Sequence, residues 1–351
     1  MPTVMLTTRC PNSCEWCFAR AKMEEYQAKG VLEMGWEDFV AAVGFHERSG
    51  LKDISLLGGD PMLHSRLTEL LDYLKEKEFR TVIGTTGAVP ARLVDRLAEA
   101  GYPCLRFGVN STSYFDYEPA KRQLVDYFMS RVGYPVGISY TLTDRDAREG
   151  SIHPLLDRIA MIHKFSLIPH LTFQIAVPHT GTGRFVPFEE YRRICELLER
   201  WMDVLGKNGI SSYLDCNCIP KCQLPAGGGA VPSARSTCTS FVCDIGPGPD
   251  VWPCFPLADR AYRLDRFRDI REVQTFFSAL IAKEDILYDE TCAGCPERAD
   301  GTCHGGCRGF AALRGGEGRR PRLQTSLPGR AGGKGISERQ EARAPESGGR
   351  A

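Results

Sequence analysis

The 351 residues predict an α/β fold on a parallel sheet, followed by a small cysteine-rich region and a tail that does not fold. Three observations carry this. Short apolar runs alternate six times with helix-period segments up to residue 205. Ten of the fifteen cysteines lie between residues 216 and 307, where Gly and Pro become dense. Residues 314–351 hold nine Gly, nine basic and four acidic residues.

Taken in order, residues 3–7 read as a strand and 19–28 as a stretch of helix formers. Trp36, Phe39, Val40 and Val43 recur at i, i+3, i+4 and i+7, one face of a helix ended by Gly50. Residues 53–57 form a short apolar strand, and Leu67, Leu70, Leu71 and Leu74 give the next helix its buried stripe. The alternation then repeats, with strands at 81–85, 105–109, 136–142 and 171–177 and helices at 91–100, 120–131, 155–165 and 188–205. Strands joined by helices require parallel pairing with right-handed crossovers. Six units fall short of the eight that close a barrel, and spacing alone leaves a doubly wound sheet open. In either fold, ligands gather beyond the C-terminal ends of the strands.

Lys plus Arg and Asp plus Glu number 44 each, so net charge argues for neither nucleic acid nor a membrane surface. Residues 314–351 carry net +5, which leaves the first 313 at −5. Leu323, Leu327 and Ile336 are the only large aliphatic residues there, too few to offset the entropy of ordering it. We expect a disordered basic tail at 314–351. No run approaches the roughly 18 apolar residues of a membrane span, and residues 1–8 have no apolar core of a signal peptide. The expected location is cytoplasmic and reducing, where clustered cysteines bind metal or do chemistry rather than pair.

The first chemical signal is Cys10-Pro11-Asn12-Ser13-Cys14-Glu15-Trp16-Cys17-Phe18. Three thiolates spaced by three and two residues can hold three corners of an iron-sulfur cube whose full ligation needs four. One iron is then left open to a bound molecule. A zinc knuckle is the plain alternative. Gly58-Gly59-Asp60-Pro61 follows the second strand. Its glycines let backbone approach a ligand, and its carboxylate can meet a charged amine. The competing reading is a strand-to-helix turn opened by Asp60 or Pro61.

Cys10, Cys14, Cys17 and the aromatic Phe18 resemble the CxxxCxxC loop of the radical S-adenosylmethionine (SAM) enzymes. The resemblance implies a partial (β/α)6 TIM-like barrel over residues 1–209, and a 4Fe-4S cluster whose fourth iron is chelated by SAM. It also implies an electron donor of flavodoxin or ferredoxin type. Gly58, Gly59, Asp60 and Pro61 stand where the family holds the methionyl amine of SAM, with Asp60 replacing the usual Glu. Thr85, Asn110 and Ser139, at the ends of strands three to five, stand where the family binds the ribose and carboxylate, and Gln174 is a further candidate. No catalytic residue beyond the cluster ligands is assigned. His64, His153, His163, His170 and His179 form no ligand spacing, and Cys104 and Cys195 are expected to be buried thiols.

From residue 210 helical periodicity stops. Cys238, Cys243 and Cys254 are followed by Cys292-x2-Cys295-x7-Cys303-x3-Cys307. This order resembles the SPASM domain, an extension of radical SAM enzymes that mature peptides and proteins. The resemblance implies one or two auxiliary 4Fe-4S clusters in a metal-stapled domain over 238–313, behind a linker at 210–237. One cluster would take Cys238, Cys243, Cys254 and Cys307, the other Cys292, Cys295 and Cys303. The gap before Cys303 is seven residues where five is usual, and no later cysteine supplies an eighth ligand. Cys216, Cys218 or Cys222 of the linker, an open iron, or His304 would fill that place. Structural zinc is the alternative for the whole field.

The leading expectation is hydrogen abstraction from a peptide or protein side chain, ending in a crosslink, an oxidation or an epimerisation. Because the cluster loop begins at residue 10, recognition of a precursor peptide's leader is expected to need a separate leader-binding protein or the linker. The alternatives are the same chemistry on a small molecule such as a sugar or amine, and a non-catalytic iron-sulfur or zinc scaffold.

Overall fold

The computed structural model describes residues 2–177, 184–215, 219–225, 238, 241–283 and 289–310. Cys216, Cys218, His179 and the expected disordered tail at 314–351 lie outside these residues.

The predicted alternation is present. It runs β1 (Thr3–Thr7), α1 (Arg20–Ala28), α2 (Trp36–Arg48), β2 (Asp53–Gly58), α3 (Leu67–Glu76), β3 (Arg80–Thr85) and α4 (Ala91–Ala100). It continues through β4 (Leu105–Asn110), α5 (Pro119–Arg131), β5 (Val136–Leu142), α6 (Asp144–Glu149), α7 (His153–Lys164), β6 (His170–Ile175) and α8 (Tyr191–Lys207). The strands pair in parallel and in sequence order from β1 to β6. The pleat divides each strand between two faces. Ile54, Leu56, Ile83, Phe107, Val109, Ile138 and Phe173 are buried in one core with the apolar stripes of the helices. Gly108, Asn110, Ser139 and Gln174 occupy the alternate positions and stay partly exposed.

Four strands exceed the expected six. β7 (Ser211–Leu214) pairs in parallel with β6; it is four residues long with only Leu214 buried, too little apolar alternation to read as a strand. β8 (Asp244–Gly246) pairs in parallel with β1 through Val4 and Ile245. It forms an antiparallel hairpin with β9 (Asp250–Trp252), which carries β10 (Tyr262–Arg263). The ten-stranded order is β10-β9-β8-β1-β2-β3-β4-β5-β6-β7, an open sheet with β10 and β7 as its edges.

The cysteine-rich segment therefore continues the sheet beside β1. It also regains helical period in α9 (Ile270–Ala282), where Val273, Phe277 and Ile281 are buried and the N-cap Asp269 accepts from Arg271 and Glu272 N–H. A last short helix, α10 (Pro296–Ala299), follows Cys295. One thiol departs from expectation: Cys195 is buried in α8, but Cys104 is exposed. Cys104 sits in the turn between the buried Tyr102 and the start of β4 at Leu105.

Candidate active site

Beyond Thr7 the chain enters the Cys10–Phe18 loop, and the turn after β2 packs directly against the start of that loop. Gly59 N–H donates to Thr7 O and Asp60 N–H to Arg9 O, both at 2.7 Å. A Cβ on Gly59 would lie 2.1 Å from the Arg9 carbonyl oxygen; on Gly58, at φ +133°, it would lie 2.6 Å from that of Thr7. The two glycines are what allow one backbone to lie on the other.

Within the loop Cys17 N–H donates to Cys14 O at 3.2 Å, and the Arg20 guanidinium holds the same carbonyl at 2.6 Å. Neighbouring elements brace it: Asn12 Nδ2 donates to Tyr117 Oη at 2.6 Å, Lys121 Nζ to Pro11 O at 2.9 Å, and Arg184 pairs with Glu15 at 2.7 Å. The Phe18 ring meets Phe255 edge-on at 4.9 Å, which joins the loop to the turn after β9.

Cys10, Cys14 and Cys17 are all half-buried. Burial pushes the Cys10 thiol up to about 12, against an opposing N–H from Asn12 and with a further rise from the Asp60 charge. Burial also raises Cys17. Metal binding at these sulfurs would have to displace their protons. Asn12 Oδ1 is buried in the same loop with no hydrogen-bond partner. No three His, Cys, Asp or Glu side chains among the described residues converge as on a single ion.

Asp60 is completely buried. Its carboxylate accepts from Thr86 Oγ1 (2.7 Å), Thr85 Oγ1 (2.9 Å), Thr86 N–H (2.9 Å) and Met62 N–H (3.1 Å). Four donors match the roughly four lone-pair sites of a carboxylate. The side chain thus locks the end of β2 to the end of β3, and it also caps the turn Pro61–Leu63. Burial raises the Asp60 pKa despite these bonds.

Farther along the strand ends a polar row crosses the sheet. Asn110 Nδ2 donates to Thr141 Oγ1 (3.1 Å), Thr141 Oγ1 to Gln174 Oε1 (3.3 Å), and Gln174 Nε2 to Asp215 Oδ2 (3.5 Å). Asn110 and Gln174 were legible as candidates; Thr141, Thr86 and Asp215 were not. Thr141 had a signal, since it lies two residues beyond Ser139 and so on the same face. Ser139 itself accepts from Ser111 N–H and Oγ at its carbonyl, both at 2.8 Å. The buried guanidinium of Arg158 secures this corner, donating to Ser111 O (2.7 Å) and Thr112 O (3.2 Å) between the rings of Phe115 and Tyr140.

In the second cysteine field the β8-β9 hairpin brings Cys243 and Cys254 to one end, with Cys243 N–H on Pro253 O at 2.9 Å. Cys243 adopts φ +63°, a left-handed conformation rare outside glycine. Burial pushes the Cys307 thiol up to about 11, with Cys238 as the next contributor. Gly309 packs on Pro256, where a Cβ would lie 2.3 Å from the ring. Cys243 and Cys254 are therefore joined by the hairpin, Cys238 lies near Cys307, and the Gly309–Pro256 contact draws these pairs toward one region.

Comparison with known proteins places residues 4–133 in the Radical SAM superfamily model. The 7-carboxy-7-deazaguanine synthase of Methanocaldococcus jannaschii is 30% identical over 94 residues, covering 24% of this chain and 39% of that one. The matched stretch thus spans well under half of that relative. Among solved structures, Streptococcus suis SuiB bound to S-adenosylmethionine is similar over 87% of this chain and 72% of its own, with TM-score 0.60 and 14% identity. SuiB is also solved with its precursor peptide SuiA. The anSMEcpe structure with bound AdoMet and the Kp18Cys peptide is similar over 88% of this chain and 90% of its own, with TM-score 0.58 and 14% identity. At these identities the likeness is one of fold, and it extends well past residue 133.

Proposed function

We propose that this chain, in which residues 4–133 form a radical SAM domain, uses that domain to modify a peptide or protein side chain. The observation that carries the reading is the packing of the Gly58-Gly59-Asp60 turn on the entry to the three-cysteine loop, with Asp60 N–H on Arg9 O at 2.7 Å. It supports the reading because the loop that carries the three cysteines and the Gly58-Gly59-Asp60 turn lie together at the same end of the adjacent parallel strands β1 and β2.

In this reading Cys10, Cys14 and Cys17 hold three corners of a 4Fe-4S cluster. A cluster held there would supply the electron for reductive cleavage of SAM and so the hydrogen-abstracting chemistry. The protein's own part is to bind, orient and exclude water. The turn at residues 58–60 would meet the methionyl amine, and Asp60 holds that turn still by tying β2 to β3. Asn110 and Ser139 face the rest of SAM, while Thr141, Gln174 and Asp215 line the way to the substrate. The thiols between residues 238 and 307, four of them buried, would hold auxiliary clusters. A peptide substrate is supported by the fold shared with SuiB and anSMEcpe, both solved with peptides, over nearly nine-tenths of this chain.

The test is anaerobic reconstitution followed by dithionite and SAM. We expect 5′-deoxyadenosine from the native chain and none from Cys10→Ala/Cys14→Ala/Cys17→Ala, with loss of about four irons per chain. Cleavage that persists in the triple variant refutes the assignment. Small-molecule chemistry is the second reading, favoured by the 30% identity to the deazaguanine synthase. Adding candidate precursor peptides separates the two, because only a peptide maturase gives a mass change on the peptide.

A further inference from the structure

We propose that Cys222 is the fourth ligand of a second auxiliary iron-sulfur cluster, completing a set with Cys292, Cys295 and Cys303. This rests on the reading above that the C-terminal thiol field holds clusters, and it assigns a ligand which that reading leaves open.

The short helical turn Lys221–Gln223 docks onto the late cysteine segment at several points. Lys221 N–H donates to Cys303 Sγ at 3.5 Å, and Gly305 N–H donates to the same sulfur at 3.3 Å. Backbone N–H bonds to a ligating sulfur help set the potential of iron-sulfur centres. The Lys221 ammonium pairs with Glu297 of α10, two residues past Cys295. Pro220 lies against Gly306, where any Cβ would come within 2.7 Å of the ring. On the other side Arg192 of α8 holds the Cys222 carbonyl at 2.7 Å. The turn is thus clamped between α8 and residues 295–306.

The thiols divide accordingly. Cys295 N–H donates to Cys292 O at 3.4 Å, so these two share one turn. Cys307 has Cys238 as its thiol neighbour. The thiol neighbours of Cys222, the residue after the Lys221 whose N–H meets Cys303 Sγ, are Cys292, Cys303 and Cys295. Binding is ligand exchange without redox: each thiol releases its proton to solvent and its sulfur bonds one iron, with iron and sulfide supplied by reconstitution.

The experiment uses the full chain carrying Cys10→Ala/Cys14→Ala/Cys17→Ala, reconstituted anaerobically, so that only auxiliary iron remains. The background is expected to hold about eight irons per chain. Adding Cys222→Ala should leave the first auxiliary cluster's about four irons as an internal control of folding. It should also remove the rest, or convert it to a three-iron centre visible by electron paramagnetic resonance. Cys222→Ser should keep the iron with a shifted spectrum. Unchanged iron and spectrum in Cys222→Ala overturns the assignment, as does equivalent loss in Cys216→Ala, Cys218→Ala or His304→Ala with Cys222→Ala intact. A background with no iron at all overturns the cluster reading itself, an outcome separable from a misplaced ligand.

Discussion

Replacing Asp60 with Asn separates a structural lock from a direct ligand contact. In the folded chain one carboxylate oxygen accepts the Met62 N–H and the other the Thr86 N–H, while the hydroxyls of Thr85 and Thr86 complete the shell. An amide has one oxygen and one NH2, so whichever way it turns, one backbone N–H faces another donor. The hydroxyls can rotate to accept, but a backbone N–H cannot. A buried donor left unsatisfied costs about 1–3 kcal/mol. Part of that is offset, because burial raises the Asp60 pKa and the neutral amide removes the desolvated charge. The net expectation is a loss of about 1–2 kcal/mol for Asn. For Ala, which leaves both N–H groups unmet and opens a void, it is about 3–5 kcal/mol. Urea unfolding of the apo protein at neutral pH reads this as a midpoint lowered by about 0.5–1 M for Asn. Calorimetric titration of reconstituted protein with SAM should then show only a modest weakening. A midpoint moved by less than about 0.2 M together with a tenfold loss of SAM affinity would mean that the carboxylate meets the ligand, and the lock argument would be wrong.

Gly59→Ala forces the Arg9 carbonyl away from a 2.1 Å overlap, so iron at the first cluster should fall by half or more. Gly206→Ala, in α8 with nothing within 4 Å of the new methyl, should leave iron unchanged and stabilise by about 0.5–1 kcal/mol. Iron assay and urea melts on both variants check this, and equal iron loss would point to general glycine sensitivity. His46 is fully buried, with Nδ1 on Ala42 O at 2.8 Å, and burial lowers its pKa below the ordinary 6.5. The unfolded chain therefore takes up the proton first. The stability this neutral ring contributes is complete above about 6.5 and is lost as pH falls toward the lower folded pKa. His46→Phe should flatten that acid limb in urea midpoints between about pH 7 and pH 5; an equally steep limb in the variant refutes the role.

The readings that succeeded rest on features local in the chain. Three cysteines within eight residues, Cys10 to Cys17, mark a candidate loop whatever surrounds it, and the Gly58-Gly59 pair marks close approach before its partner is known. The spacing of apolar residues sets each strand and helix from β1 to α8, because a period of 2 or 3.6 is a property of the segment itself. Tertiary structure decided where partners far apart in sequence are chosen by packing. Asp60 reads as a carboxylate offered to an amine until the end of β3 supplies Thr85 and Thr86 to fill its lone pairs. The Asp244–Gly246 segment, three residues long, becomes a strand because β1 has an unpaired edge for it to satisfy. Cys222 is one of three equivalent linker thiols until Pro220 seats on Gly306 and carries it to Cys292, Cys295 and Cys303. Local periodicity follows from backbone geometry alone, whereas which groups meet across the molecule depends on how the layers close on one another, and that is settled only in the fold.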